Sequence, residues 1–292
     1  ATVGLNASPQ NAGAVENKGW EFSASYRGKA NEAGLKYNLG GNLSINRNEV
    51  IDLKGTGPYI VGSDIDPRYI IKKGLPINTL WGYKTDGLFQ SEEEIKAYKA
   101  TYAANTKPGD VKHVDVNGDG KIDANDMTVI GNSFPKFTFG LNSDFSYRNF
   151  ELSLLFQGAA KVDARLAGAL AEMGNQEGFT HEIYTNNYWT PERTDARFPR
   201  PVKYDLRNVT SSDRMVVNGS YVRLKNIQLA YSLPVSLIER VKLSKARIYV
   251  SATNLFTISK LNEWNLDPET PSGRGVYFPQ TALYTVGLNL QF

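Results

Sequence analysis

Asp115-Val-Asn-Gly-Asp-Gly-Lys-Ile-Asp-Ala-Asn-Asp126 sets oxygen donors at the spacing of a twelve-residue calcium loop. Asp115, Asn117 and Asp119 stand at positions one, three and five, and Gly120 at six supplies the sharp turn. Lys121 at seven offers its backbone carbonyl, Asp123 falls at nine, and Asp126 closes the site at twelve. Hard divalent cations want several oxygens at once, and this spacing can fold five side chains and a carbonyl around one point. Calcium is preferred to magnesium because the loop offers many protein oxygens, whereas magnesium keeps much of its water. The last position is Asp where EF-hands carry Glu, and the flanks lack EF-type helices. Both features point to a structural clip rather than a sensor.

Other reactive chemistry is sparse. His113 and His181 are the only histidines, and neither has a nucleophile or metal-ligand spacing beside it. The chain has no cysteine, so thiol catalysis, disulfides and thiolate-bound zinc are excluded. Carboxylate pairs for sugar hydrolysis could be picked at random from 30 acidic residues, so none is singled out. The expectation is that this is not an enzyme. A net charge of +3, dispersed along the chain, gives no footprint for nucleic acid.

The elements that would carry such a loop are strands. In the final dozen residues Ala282, Tyr284, Val286, Leu288, Leu290 and Phe292 alternate with Leu283, Thr285, Gly287, Asn289 and Gln291. A strand sends neighbouring side chains to opposite faces, so one face is oily and the other mostly wet. Phe137, Phe139, Leu141, Phe145 and Tyr147 share a face in the same way, followed by Phe150, Leu152, Leu154 and Phe156. Trp20, Phe22, Ala24 and Tyr26 form another such row, as do Leu35, Tyr37, Leu39, Leu43 and Ile45. Residues 221–232 and 245–257 are further candidates with less clean alternation. About seven strands result, longer than the five or six residues usual in soluble sheets. Their oily faces are rich in Phe and Tyr, and their polar faces in Gly, Ser, Asn and Thr.

This pattern predicts an all-β chain, an antiparallel transmembrane β-barrel with lipid on one face and a polar lumen on the other. A soluble β-sandwich or barrel is the rival reading, because each segment's signal is weak. No run of about eighteen apolar residues offers a spanning helix. Short connections, 28–34, 148–149 and 233–244, alternate with long ones at about 47–136, 161–220 and 258–280. Placing Phe292 at the periplasmic end makes every short connection periplasmic and every long one extracellular, the division such barrels show.

The long loops should hold structure and a task. Trp81 to Phe89 reads as extended. Ser91 to Tyr98 reads as a short helix, with Ser91 as N-cap and Glu94 completing a capping box. Leu166 to Met173 suggests another helix, and Pro234 opens a helical turn through Val235 to Val241. Asn186 to Arg193 and Phe198 to Pro201 read as irregular and surface-exposed. Trp81, Trp189 and Trp264 could stack on sugars or peptides, or could pack the loops together.

Several stretches together resemble the carboxy-terminal part of SusC/RagA-type TonB-dependent transporters of the Bacteroidetes outer membrane. They are Asn11 to Gly19, Gly82 to Gln90, Lys107 to Asp123, Ile130 to Pro135, Asn218 to Asn226, Arg247 to Phe256 and Leu266 to Glu269. The resemblance spans nearly all of residues 1–292 and preserves order and spacing. It implies a 22-stranded barrel of which this chain supplies about the last seven strands. It further implies an amino-terminal plug, a SusD-like lipoprotein lid and TonB-driven import of an oligosaccharide or peptide. The remaining barrel and plug, TonB, lipid and lipopolysaccharide are then the expected partners. No signal peptide or plug lies within these residues, so the expectation is a carboxy-terminal piece of a longer product. The strands near Trp20 and Leu288 are expected to pair with strands outside it. A non-transporting glycan-binding adhesin and a passive porin stay open as alternatives.

Overall fold

A computed structural model of the chain describes residues 13–29, 34–62, 69–98, 100, 104–171, 180–202, 207–270 and 280–292. Its two-residue periodicity folds into antiparallel hairpins. The first pairs β1 (Ala14–Lys29) with β2 (Leu35–Asp52). The long connection that follows carries β3 (Tyr59–Val61), β4 (Tyr69–Lys72), β5 (Thr79–Gly82) and β6 (Thr85–Leu88). It continues through helix α1 (Glu92–Ala97), β7 (Val111–His113) and β8 (Thr128–Asn132). The second hairpin is β9 (Phe137–Tyr147) and β10 (Phe150–Ala160), turning at Arg148, whose φ of 53° is left-handed. Next come the short pair β11 (Asp163–Arg165) and β12 (Val216–Asn218). The third hairpin is β13 (Tyr221–Ser232) and β14 (Lys245–Ser259), with a helical turn α2 (Val235–Ile238) between them, and β15 (Leu283–Gln291) follows. No described helix is long and apolar enough to cross a membrane.

Seven strands make one antiparallel sheet in the order β1-β2-β9-β10-β13-β14-β15. Register carries a single apolar face across it. Trp20 lies opposite Ile45 and Phe22 opposite Leu43; Leu43 in turn faces Phe139, and Leu141 faces Phe156. Beyond these, Leu154 faces Ile227, Leu229 faces Val250, and Val250 faces Val286. The apolar face does not meet a second sheet. Leu288 is exposed, and Phe139 and Leu154 are only half-buried, so they share no dry interior. Cross-strand aromatics cover glycines in neighbouring strands: Tyr37 lies over Gly28, Phe139 over Gly158 and Tyr249 over Gly287. An added Cβ at any of the three would strike the ring.

The irregular alternation at 221–232 has a structural cause. Leu155 pairs with Asn226 and Phe156 with Leu224, leaving Lys225 as an extra residue, a β-bulge. Below the bulge Ile227, Leu229 and Tyr231 join the apolar face; above it Leu224 and Val222 do. Parity flips within one strand, and so a strict two-residue count fails there.

β2 runs on to Asp52, so the first long connection starts at 53 rather than 47. Pairing of β2 with β9 ends at Ile45, and the remainder of the β1–β2 hairpin projects past the sheet as a two-stranded ribbon. Buried Asn48 anchors it, donating to Asn17 Oδ1 at 2.8 Å and accepting from the Ile77 amide at 2.7 Å. In place of the helix suggested over 166–173 there is one 3-10 turn, Gly168–Leu170, with Gly168 at a left-handed φ of 57°. Residues 172 and 173 of that span lie outside the described residues.

Candidate functional site: the loop layer

All three long connections leave the same end of the sheet, and they pack on one another. β3-β4-β5-β8 form a four-stranded sheet, and β6 pairs with β7. Among the described residues, apolar side chains close three small cores. Leu166, Leu170, Tyr184, Phe198, Met215 and Trp264 form the largest, drawn from the second and third connections. Tyr83, Ala100, Ile122 and Met127 form another, and Leu88, Val111 and Trp189 a third that joins the first connection to the second. Trp189 and Trp264 therefore pack the loops, and Trp189 Nε1 donates to Gln90 Oε1 at 2.9 Å. The stretches 186–193 and 198–201 are irregular as expected, but Trp189 and Phe198 are buried in these cores instead of lying on the surface. Aromatic area removed from water outweighs any local preference for exposure.

Helix α1 begins as its sequence requires: Ser91 Oγ accepts from the Glu94 amide at 3.2 Å. Glu94 reaches back to the amide of Gln90, one residue beyond the usual capping-box partner, at 2.7 Å. That bond is the main reason its carboxyl titrates below the ordinary range. Lys112 then joins Glu94 (3.0 Å) to Asp86 (2.9 Å), fastening the helix to β6 and β7.

Two polar nodes were not legible from spacing. Asp110 is buried, and Arg200 Nε lies 2.7 Å from its Oδ1 while Arg200 Nη2 donates to its Oδ2 at 3.1 Å. Asn208 Nδ2 donates to Oδ1 at 2.9 Å, the Lys107 amide to Oδ2 at 2.8 Å, and Arg207 stands 3.6 Å away. Partners some ninety positions apart in sequence meet here, and no local signal marks them. The second node is Arg223, only 2% exposed on the polar face of β13. It meets Asp267 at 2.6 Å, Glu269 at 2.5 Å and Thr257 Oγ1 at 2.7 Å. Lys225 Nζ also reaches Glu269, at 2.8 Å. The bulge lets both cations turn to the same side and hold the third connection against β13 and β14.

His113 is the other unforeseen residue. It is 3% exposed, its ring stands edge-on to Tyr83 at 5.2 Å, and its carbonyl accepts from the Tyr98 hydroxyl at 2.6 Å. Burial pushes the imidazole down to about 4, against the pull of Asp213, so it is neutral at pH 7. His181 instead caps a turn, with Nδ1 accepting from the Ile183 amide at 3.3 Å.

In the 115–126 loop the carboxylates gather backbone amides. Asp115 accepts from Gly118 (2.7 Å), Asp119 (3.2 Å) and Gly120 (2.7 Å). Asp126, fully buried, accepts from Val116 (2.9 Å), Asn117 (3.4 Å) and Asp123 (2.8 Å). Asp119 accepts from Lys121 and from Asn117 Nδ2, and Asp123 from Asn125. Gly118 and Gly120 sit at φ 76° and 81°, which side-chain-bearing residues rarely adopt. Among the described residues no three acidic or histidine groups stand ready-made as a cation cage. The donor chemistry nonetheless fits a hard cation, since a carboxylate has about four acceptor positions and these retain some.

A TonB-dependent receptor of Formosa agariphila is 32% identical over 308 residues, covering 99% of this chain and 30% of the relative. SusC of Bacteroides thetaiotaomicron, also a TonB-dependent receptor, is 28% identical over 97% of this chain and 27% of its own length. The RagAB peptide transporter superposes with a TM-score of 0.74 at 22% identity, over 97% of this chain and 30% of that one. Over nearly its whole length the chain is similar to TonB-dependent receptors, SusC among them. It spans about 30% of the length of the curated relatives it matches. No family model matches it. In keeping with that likeness, the seven-stranded sheet is antiparallel barrel wall of a bacterial outer membrane, with its apolar face placed to meet lipid. The relatives are named as receptors and transporters, which agrees with the lack of catalytic spacing.

Proposed function

We propose that the chain forms wall and external loop layer of an importer for an oligosaccharide or peptide, energised by TonB and closed by a SusD-like lipoprotein. One observation carries the reading: a two-faced sheet sends every long connection to one end, where they weld into a layer. A layer held by buried ion pairs suits a surface that receives a ligand and a lid. An adhesin needs such loops but no TonB contact, and a porin needs neither. Each outer edge, β1 and β15, has one neighbour among the described residues. An unpaired edge in lipid costs several kcal/mol per backbone group, so both edges pair with further strands of a closed barrel. Deleting the gene in its native host should abolish uptake of one labelled glycan or peptide class. Complementation should restore it only with TonB intact, and a lipoprotein should co-purify with the receptor. Uptake that is independent of TonB would overturn the reading.

The same proposal includes calcium in the 115–126 loop, held by Asp115, Asn117, Asp119, Asp123 and Asp126 with the Lys121 carbonyl. A bound cation would neutralise the crowded carboxylates and stiffen the loop. Calorimetric titration of chelator-treated receptor should find a calcium site that Asp119→Ala loses, and protease cleavage near residue 118 should rise with chelation. Equal stoichiometry in both proteins, with cleavage indifferent to chelator, would remove calcium from the account.

A further inference from the structure

The second and third connections enclose a cavity of about 200 Å³ at the edge of the largest loop core. Its apolar surface comes from Phe198, Trp264, Met215 and Val209. The rings of Phe198 and Trp264 stand edge to face, with centroids 5.8 Å apart. Into this surface come Arg197 and Arg214, and no carboxylate lines the cavity among the described residues. Arg200 also borders it but is committed to Asp110.

The two remaining guanidinium groups are only partly compensated. Arg197 lies 5.2 Å over the Trp264 ring and 5.5 Å over Phe198, and its contact with Glu263 is a half-exposed pair at 3.3 Å. Such a pair contributes little. Arg214 donates to the Arg197 carbonyl, which carries no charge. The carboxylate beside it in sequence, Asp213, is turned to Thr85 Oγ1 at 2.6 Å and to Lys84 at 4.0 Å. Burial, opposed in part by Asp213 and reinforced by Arg197, pushes the Arg214 guanidinium below its ordinary value. Two crowded cations on an apolar floor form a place where an anion is stabilised strongly, because guanidinium–carboxylate bonds strengthen away from water.

We propose that this cavity is a subsite for a carboxylate-bearing ligand, its anion held by Arg197 and Arg214 and its ring or side chain set against the apolar lining. The volume is below the ~300–1,000 Å³ of drug-sized pockets, so it takes one acidic sugar ring or one terminal amino-acid residue rather than a whole oligomer. The inference deepens the import reading by naming a substrate class, and it is tested by binding alone. Failure of TonB-driven uptake would leave the measurement untouched.

The test is calorimetry on the full receptor in detergent with two matched pairs: trigalacturonate against maltotriose, and Leu-Phe free acid against Leu-Phe amide. In at least one pair the acid should bind tenfold or more tightly than its neutral partner, and which pair does so identifies the source of the carboxylate. Arg197→Gln and Arg214→Gln should each reduce that preference about tenfold. Arg197 is half-exposed, so its variant decides the matter if Arg214→Gln fails to fold. Equal binding of acid and neutral probe in both pairs, no binding of any probe, or a preference that survives both substitutions would overturn the subsite.

Discussion

In the seven-stranded wall the large apolar residues point outward, whereas in the loop layer they point inward. Trp20 is 71% exposed and Val286 77%, while Leu166 is 1% and Trp264 2% exposed. The wall has its backbone paired strand to strand, and its apolar face is left for lipid to cover. The loop layer lies beyond that face and must behave as a small water-soluble domain, with dry cores and buried charges in pairs. One chain thus obeys two solvents, and the boundary falls where the apolar face ends and the ion pairs begin.

That contrast predicts where damage will be felt. Asp110→Ala leaves Arg200 and Arg207 around a vanished anion. Removing one partner of a buried pair costs about 3–5 kcal/mol, so hydrogen exchange at 104–111 and 207–213 should accelerate sharply. Glu16→Ala, in the ribbon that extends the wall, breaks an exposed pair with Lys18 at 2.7 Å and should change nothing measurable. If both substitutions act alike, the division between the two regions is wrong.

Leu166→Ala should cost about 3 kcal/mol through the cavity it leaves, and it should lower the melting temperature of the loop layer. Val286→Ala removes a side chain that faces outward and should leave that transition in place. Acid should sharpen the contrast further. The folded His113 sits near 4 and the unfolded side chain near 6.5, so below pH 6.5 the unfolded chain takes up a proton that the fold refuses. Loop stability is therefore complete above pH 6.5 and declines toward pH 4, by up to about 3 kcal/mol. His113→Gln should flatten that slope of melting temperature against pH, with the wall unaffected in either protein.

Legibility followed the same boundary. The seven strands, their short turns, the Ser91 cap and the helical turn at Val235 are visible in the residues, because each depends on neighbours a few positions away. Alternation fails around Lys225, where a bulge changes parity and brings Arg223 and Lys225 to one carboxylate. The burial of Trp189 and Phe198 is hidden from the sequence for a different reason. Their surroundings come from distant connections, and irregular composition by itself reads as surface.

Period-two patterning and the 115–126 donor spacing are local properties, so the residue order alone determined that this chain would make long two-faced strands and an oxygen-rich loop. Only the tertiary structure decided that Asp110 would meet Arg200, that Glu269 would meet Arg223, and that Arg197 and Arg214 would share an apolar cavity. Those meetings follow from the closure of loops tens of residues long. Their geometry is chosen by which buried charges must be neutralised and which rings must leave water, and no short window of sequence contains that information.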